Sequence, residues 1–164
     1  MLVLGWSDFV IFRLYIPDDF SQLYAIEELC FQPPYRFGRR YMRQLVQSRN
    51  TAAWIAEEDG QMAGFAIVDW SLEEEEIQAY IQTIEVKPEA RGRGIGRQLL
   101  SRVEDSAVGV HAVKIGLHVD ATNEGAIRLY EATGYFVVGR EENYYALGRD
   151  ALIYCKSMQE QTVL

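Results

Sequence analysis

The segment from residue 78 to residue 107 constrains the fold more than any other part of the sequence. It begins with the strand-like run QAYIQTIEVK, stops at Pro88 and continues through the glycine-rich sequence RGRGIG. An apolar residue then recurs every four positions, as expected for a helix with one buried face. This stripe consists of Ile95, Leu99, Val103 and Ala107. A strand, a glycine-rich turn and a one-faced helix predict a sheet with helices packed against it.

Strand-like and helix-like patterns alternate along the rest of the chain as well. Before the segment described above, the predicted elements are a strand from Phe9 stopped by Pro17, a helix ending at Cys30, a helix over 39–48, and strands over 51–57 and 62–70 joined by an Asp-Gly turn. After that segment they are a strand over 111–120, a helix over 123–132, and strands near 136–142 and 151–156. This order predicts a mixed α/β sheet with helices on both faces. We expect a single domain over residues 1–164.

The composition narrows the class of protein. The formal net charge is -8, so the surface as a whole should repel nucleic-acid phosphates. Two cysteines without C-x-x-C spacing fit a reducing compartment, and two histidines argue against a zinc site. The opening MLVLGWSDFVIF has no basic start and contains Asp8, so no signal peptide is predicted. No apolar run reaches the ~20 residues of a membrane span. We therefore expect a cytoplasmic protein without a metal, nucleic-acid or membrane partner.

The sequence RGRGIG at residues 91–96 predicts an anion site at the start of a helix. Main-chain N-H groups and the helix dipole favour a phosphate there. The dinucleotide fingerprint G-x-G-x-x-G does not fit, because its third glycine would fall on Arg97, and no Gly-Lys-Ser/Thr follows as in a Walker A loop. A glycine turn with solvated arginines is the alternative, but three arginines at a helix start in an acidic chain favour a bound anion. The remaining pattern is R-x-x-G-x-G, filled by Arg91, Gly94 and Gly96, with further cations at Arg93 and Arg97.

Two separate motifs resemble the GNAT N-acetyltransferase superfamily. IEVKPEARGRGIGRQLL is similar to its acetyl-CoA signature Q/R-x-x-G-x-G/A, and LHVDATNEGAIRLYEATGYFVVGR is similar to its second conserved block. Within the superfamily the chain looks most like protein N-terminal acetyltransferases, including the bacterial ribosomal-protein alanine acetyltransferases, through YIQTIEV, LHV-x-x-x-N and NYY. The resemblance implies a mostly antiparallel sheet of about seven strands, with one parallel pair splayed apart at the cofactor site.

The resemblance also implies acetyl-CoA as the cosubstrate and assigns residues to it. The main chain of Ile84, Glu85 and Val86 would pair with the amide arm of acetyl-CoA like an added strand. Asn123 would meet the pantetheine arm and the Tyr130 hydroxyl would donate to the departing sulfur; seven residues apart, they are expected two turns along one helix face. The loop that would hold the pyrophosphate consists of Arg91, Gly92, Arg93, Gly94, Ile95, Gly96 and Arg97.

Acetyl transfer to an amine also requires a group that takes the amine proton. His118 lies on the strand face opposite the apolar residues of HAVKIGLHV, and an unperturbed histidine, with a pKa near ~6.5, suits a general base. The resemblance gives Tyr80 a share in this role. Glu85 is a further candidate, with a surface position at a strand edge as its alternative. Ordinary positions in the sheet are the alternatives for His118 and Tyr80.

The resemblance assigns an acceptor site to four aromatic residues. Phe31 and Tyr35 match the loop pattern F-P-x-x-Y that lines the peptide site in relatives, although Gln32 and two prolines depart from it. Tyr144 and Tyr145 resemble a pair that contacts the substrate backbone, and an aromatic-rich hairpin would give the same sequence. An N-terminal amine is the easier acceptor, because its pKa is about 2.5 lower than that of a lysine side chain.

Three functions remain open from the sequence. The leading hypothesis is acetylation of the N-terminal amine of a protein or peptide by direct transfer in a ternary complex, by a monomer or a homodimer. The second is acetylation of a small amine such as a polyamine or aminoglycoside, because the acidic run from Glu73 to Glu76 would attract a polycation. A solvated turn is the alternative interpretation of that run. The third is a non-catalytic module that only binds acyl-CoA.

Overall fold

The protein is described here by a computed structural model that covers residues 9–159. Residues 1–8, which contain most of the apolar opening considered above for a signal peptide, lie outside the described residues. The strands are β1 Val10–Leu14, β2 Thr51–Glu58, β3 Gln61–Glu73, β4 Glu76–Val86, β5 Lys114–Asp120, β6 Phe136–Ala146 and β7 Arg149–Ser157. They form one sheet in the order β1-β2-β3-β4-β5-β7-β6. All neighbours are antiparallel except β4 and β5.

Helices cover both faces of the sheet, as predicted. They are α1 Phe20–Cys30, α2 Arg39–Gln47, α3 Ile95–Gly109 and α4 Glu124–Ala132. One hydrophobic core lies between the sheet and the first two helices, and a second lies under α3 and α4. All four residues of the predicted stripe on α3 are buried in this second core. Among residues 9–159, no helix has the length and apolar character needed to cross a bilayer.

The predicted order of elements is confirmed, but several bounds differ: β3 continues to Glu73, and β5 starts at Lys114 and not at residue 111. The Asp59-Gly60 turn joins β2 to β3, and both residues have the positive φ that a tight hairpin of this kind requires. The last two strands are longer than predicted, because β6 continues to Ala146 and β7 starts at Arg149. This extension places the predicted acceptor residues Tyr144 and Tyr145 within β6.

The parallel pair opens along its length. Strands β4 and β5 are in register only from Gln78 to Tyr80, opposite residues 114–116. Beyond Tyr80, β4 continues to Val86 paired with β3 alone, while β5 pairs with β7 on its other side. The edge of β4 that faces β5 is therefore open from Ile81 to Val86. This is the splayed pair that the resemblance implied.

Gly64 on β3 lies where two strands approach so closely that no side chain fits. A Cβ atom at this position would lie 2.5 Å from the carbonyl oxygen of Glu85 and 3.2 Å from the Cα of Val86. We expect Gly64→Ala to lower the free energy of unfolding by about 1–3 kcal/mol, because the crowding atoms belong to the backbone. In a domain of this size each kcal/mol lowers Tm by about 2–4 °C, which thermal unfolding followed by circular dichroism would measure.

The control for this prediction is Gly109→Ala at the end of α3. Nothing lies within 4 Å of a Cβ atom at Gly109, and alanine is the better helix former. The Tm of this variant should stay constant or rise. Equal Tm values for Gly64→Ala and the unmodified chain would contradict the close approach of β3 and β4.

Candidate active site

The segment from Arg91 to Gly96 forms the turn between β4 and α3. Gly92 and Gly94 have φ angles of 76° and 81°, a left-handed conformation that glycine adopts without steric cost. Gly94 is the residue that precedes α3, and among the described residues no side chain caps this helix. The N-H groups of its first turn have no intrahelical partners, so they are suited to an anion such as a pyrophosphate. The geometry therefore fits the cofactor that the resemblance implied.

Arg91 and Arg93 of this turn and Arg97 of α3 have different surroundings. Arg91 donates from Nε to the carbonyl oxygen of Val86 at 3.0 Å. Arg93 donates to both carboxylate oxygens of Glu58, at 2.9 and 2.6 Å. Arg97 is exposed and makes no ion pair within residues 9–159. Two of the cations that we predicted for the anion thus also fasten the turn to β4 and β2, and their contact with the cofactor stays a prediction.

The strand predicted to pair with the amide arm of acetyl-CoA lies at the open edge of β4. Ile84, Glu85 and Val86 pair with β3 on one side, which leaves their other edge available. The side chains of Ile84 and Val86 pack against the core under α3. The side chain of Glu85 is buried against Glu27 of α1, so the alternative of a surface position at the strand edge is wrong. Its burial also keeps Glu85 from meeting an amine directly.

Tyr80 and His118 meet across the parallel pair, next to the point where it opens. Alternation along β5 buries Ile115 and Leu117 on one face and turns His118 to the other, as predicted. The Tyr80 hydroxyl lies 2.8 Å from Nδ1 of His118. On the far side of the ring, Nε2 lies 3.0 Å from Oε2 of Glu141 on β6. The structure therefore joins two predicted residues to a carboxylate that was not predicted.

The direction of these hydrogen bonds follows from the protonation of Tyr80. Its burial, together with its interaction with the neighbouring Tyr144 hydroxyl, raises the pKa of Tyr80 well above its ordinary value. The phenol therefore keeps its proton at neutral pH and donates to Nδ1 of His118. The proton of a neutral imidazole then lies on Nε2, from which it is donated to Glu141. This arrangement leaves Nδ1 of His118 as the basic atom of the group.

Tyr144 covers the histidine from the β6–β7 hairpin. Its ring stacks on that of His118, with 4.4 Å between the centroids and 12° between the planes. The register of β6 against β7 shifts between Glu141 and Ala146, and such a bulge redirects side chains. Asn143 has a positive φ in this bulge, and its N-H donates to Asp150 at 2.9 Å. The bulge thus brings Tyr144, a predicted acceptor residue, onto the predicted base.

The other predicted acceptor residues are only partly brought together. Tyr145 meets the ring of Tyr144 edge to face, at a centroid distance of 4.9 Å. Tyr35 lies between α1 and α2, and the guanidinium of Arg149 sits over its ring at 4.9 Å. Arg149 also donates to Asp120, so it ties this segment to the end of β5. Phe31 is exposed at the end of α1 and makes no ring contact with these residues in the described part of the chain.

Tyr130 and Asn123 occupy different settings at α4. Tyr130 is 7% exposed, and burial raises its pKa to about 12, so its hydroxyl stays protonated. This hydroxyl makes no hydrogen bond to any described residue. Asn123 precedes the helix and its side chain accepts from the Ala126 N-H at 3.1 Å. Asn123 is therefore the cap that precedes α4 and is not part of its first turn. Asparagine directly before an apolar helical pattern was the available signal.

Three further polar residues beside Tyr80 were not predicted. Asp69 lies directly opposite Tyr80 in the register of β3 and β4. Gln82 donates to Asp69 at 2.7 Å and accepts from the Tyr41 hydroxyl at 3.4 Å. Burial raises the pKa of Asp69. An aspartate within the otherwise apolar run FAIVDW was the signal in the sequence. No group of three or more potential metal ligands occurs within residues 9–159.

Comparisons with known proteins identify the family of the chain. Residues 20–135 match the acetyltransferase (GNAT) family. A Bacillus subtilis (strain 168) protein, provisionally named ribosomal protein bS18-alanine N-acetyltransferase, is 29% identical over 87% of this chain and 92% of its own length. NAA60 of Arabidopsis thaliana in complex with acetyl-CoA superposes with a TM-score of 0.82, at 25% identity, over 91% of this chain and 98% of its own. Naa50 of the same organism, in complex with the bisubstrate analogue CoA-Ac-MVNAL, gives 0.79 at 26% identity over 90% and 98% of the two chains. The chain belongs to the acetyltransferase (GNAT) family.

Proposed function

We propose that this acetyl-CoA-dependent N-acetyltransferase acts on the N-terminal α-amino group of a protein or peptide, with both substrates bound together. The observation that carries the proposal is the hydrogen-bonded series Tyr80, His118 and Glu141 beside the open edge of β4. Such a series gives the amine proton a route away from the nitrogen at the place where a thioester would lie. Acetyl-CoA supplies the thioester carbonyl that the amine attacks.

The proton leaves the amine through Tyr80 and arrives at His118. As the amine nitrogen bonds to the acetyl carbon, its proton passes to the oxygen of Tyr80, and Tyr80 passes its own proton to Nδ1 of His118. The ring becomes positively charged, and Glu141 offsets that charge through its contact with Nε2. Stacking by Tyr144 holds the ring in this orientation. In this route His118 is the base and Tyr80 is its link to the substrate.

Tyr130 stabilises the thiolate that leaves when the thioester bond breaks. Its hydroxyl is protonated and has no hydrogen-bond partner among the described residues, so it is available to donate to a thiolate. A hydrogen bond that strengthens as charge develops on the sulfur lowers the barrier to bond breakage. The buried setting of Tyr130 increases this effect, because little water competes for the charge.

Several observations support an N-terminal amine as the acceptor. The Bacillus relative carries the name of an alanine N-acetyltransferase, and Naa50 binds an analogue in which CoA is joined to Ac-MVNAL. Tyr144 of the β6–β7 hairpin stacks on His118, and Tyr35 of the α1–α2 segment packs under Arg149, which in turn binds Asp120 at the end of β5. These aromatic side chains are suited to line a site for an extended peptide end. Asp69, opposite Tyr80, would attract the positively charged form of the amine before it loses its proton.

The acceptor is tested with paired peptides. Peptides with different first residues are incubated with acetyl-CoA and the chain, and mass spectrometry locates the added acetyl group. We expect acetylation of free N-termini and none of the same peptides with a blocked N-terminus and an internal lysine. Turnover of small polyamines with no turnover of any free peptide terminus would contradict the proposal and support the second hypothesis.

The structure gives little support to the second hypothesis, in which residues 73–76 attract a small polycationic amine. Residues 73–76 form the turn that joins β3 to β4, and Glu74 and Glu75 adopt positive φ at its tip. This is the setting of a solvated hairpin turn, the alternative considered for this acidic run. The third hypothesis, a non-catalytic module, leaves the series Tyr80, His118 and Glu141 without a purpose. We also infer a cytoplasmic location, consistent with two cysteines that are both free thiols.

A further inference from the structure

Two buried carboxyl groups have no part in the catalytic route proposed above. Glu27 of α1 is 1% exposed and Glu85 of β4 is 3% exposed. Their side chains lie within hydrogen-bonding reach of each other. Two carboxylates in contact in the interior of a protein cannot both be ionised without a large penalty. A contact of this kind therefore requires a proton held between the two groups.

One shared proton satisfies all four oxygens of the two groups. Thr83 donates to Oε2 of Glu85 at 2.8 Å, and the N-H of Phe37 donates to Oε1 of Glu27 at 2.8 Å. The remaining two oxygens, Oε2 of Glu27 and Oε1 of Glu85, are buried without a donor in the described part of the chain. Buried polar atoms are rarely left without a partner. If Glu85 carries a proton and donates it to Glu27, both of these oxygens gain a hydrogen-bond partner.

The pair connects the two halves of the candidate active site. Phe37 belongs to residues 31–38, the acceptor segment, which also carries Tyr35. Glu85 belongs to the part of β4 that would pair with acetyl-CoA, and Arg91 of the pyrophosphate turn bonds to the next carbonyl oxygen along, that of Val86. A hydrogen-bonded series therefore runs from β4, through Glu85 and Glu27, to the main chain of the acceptor segment.

We propose that the Glu27–Glu85 pair, closed by a single proton, is a positioning element that fixes the acceptor segment against the cofactor strand. The acceptor-binding role of residues 31–38 rests on the proposed function, but the pair itself can be tested without any substrate. It predicts that the acceptor segment loosens when the proton is removed. Glu27 and Glu85 are positioning residues in this scheme, because neither touches the reacting atoms.

The sign of the pH dependence follows from the environment of Glu85. Burial, followed by the hydrogen bond and the charge of Glu27, raises the pKa of Glu85 well above its ordinary value. The pair therefore stabilises the folded chain fully below a pH of about 4.5, and this contribution is lost as the pH rises through the raised pKa. Cys30 on α1, whose thiol pKa is raised by burial, is a further ionisable group that acts on Glu85, and Glu89 and Arg91 on the turn after β4 act on Cys30.

The experiment is amide hydrogen exchange of residues 31–38 in the free chain, from about pH 6 to about pH 10. After correction for the intrinsic exchange rate, protection of the Phe37 N-H should fall by up to about tenfold per pH unit once the pair loses its proton. In Glu85→Gln the amide donates to Glu27 in place of the shared proton, so protection should be independent of pH. Glu89→Gln, which changes a neighbouring carboxylate outside the pair, should behave like the unmodified chain.

Other outcomes of this experiment overturn the proposal. If protection of Phe37 in the unmodified chain is as independent of pH as in Glu85→Gln, no proton joins the pair. If Glu85→Gln does not fold, Glu27→Gln replaces it, because that amide still accepts from Phe37 and donates to Glu85. Equal pH dependence of Glu27→Gln and the unmodified chain would also overturn the proposal.

Kinetics separate this inference from the proposed function. With an acetylated peptide identified, the ratio of KM for the peptide in the unmodified chain to KM for the same peptide in Glu85→Gln should rise with pH. If the chain acetylates no peptide but shows the exchange behaviour above, the proposed function is contradicted and the proposal about the Glu27–Glu85 pair still holds. A rise of KM with pH that is identical in both proteins would contradict the role of the pair in positioning the acceptor.

Discussion

Replacing His118 with alanine should lower kcat for peptide acetylation by about 10²–10⁴-fold, the range typical of a lost general base. The imidazole is the group that receives the proton from Tyr80, through a contact of 2.8 Å. KM for acetyl-CoA should change little, because the open edge of β4 and the turn from Arg91 to Gly96 stay in place. Steady-state kinetics with a peptide identified in the acceptor test would measure both constants.

Two further substitutions distinguish the proposed proton route from direct attack by histidine. Tyr80→Phe keeps the ring but removes the hydroxyl, so it should lower kcat almost as much as His118→Ala. Glu141→Gln still accepts from Nε2 of His118 but carries no charge, so its loss should be smaller, about tenfold. If Tyr80→Phe kept the full kcat while His118→Ala lost it, Tyr80 would not lie on the proton route. Full activity of His118→Ala would contradict the whole series.

The elements of the fold were predictable because periodic burial is visible in a sequence. The apolar stripe on α3 and the alternation of apolar residues along β5 predicted these two elements. The alternation also predicted that the side chain of His118 faces away from the core. The same alternation says nothing about which strand lies beside β5. Only the resemblance to a family predicted the neighbour of β5, because it implied a parallel pair at the cofactor site. The neighbour is β4, the strand that carries Tyr80.

The polar contacts of the site were not predictable in the same way. Glu141 reaches His118 because a bulge shifts the register of β6, and no periodic pattern records that shift. Glu27 and Glu85 are far apart in the sequence and each looks like an ordinary surface glutamate within a helix or a strand. Their burial becomes visible only when α1 is packed on β4. Contacts between distant polar residues depend on the completed tertiary structure, and a single sequence carries little trace of them.

Replacing Tyr130 with phenylalanine should lower kcat by about 10²–10³-fold, the range seen when one hydrogen-bond donor to a developing negative charge is removed. The same change should leave Tm constant or slightly higher, because the hydroxyl makes no hydrogen bond to the described residues. Kinetics with the same peptide and thermal unfolding would measure the two quantities. A loss of kcat together with a large fall in Tm would point instead to a packing role for Tyr130.

The matched control is Tyr135→Phe. Tyr135 is 3% exposed, lies edge-on to Tyr130 with 5.6 Å between the ring centroids, and has a buried hydroxyl without a described partner. Both substitutions remove one unbonded hydroxyl from a largely buried ring, so their effects on ring packing should be similar. Only the Tyr130 hydroxyl is expected at the sulfur, so only Tyr130→Phe should lower kcat. Equal kcat values for the two variants would show that the Tyr130 hydroxyl does not assist the leaving thiolate.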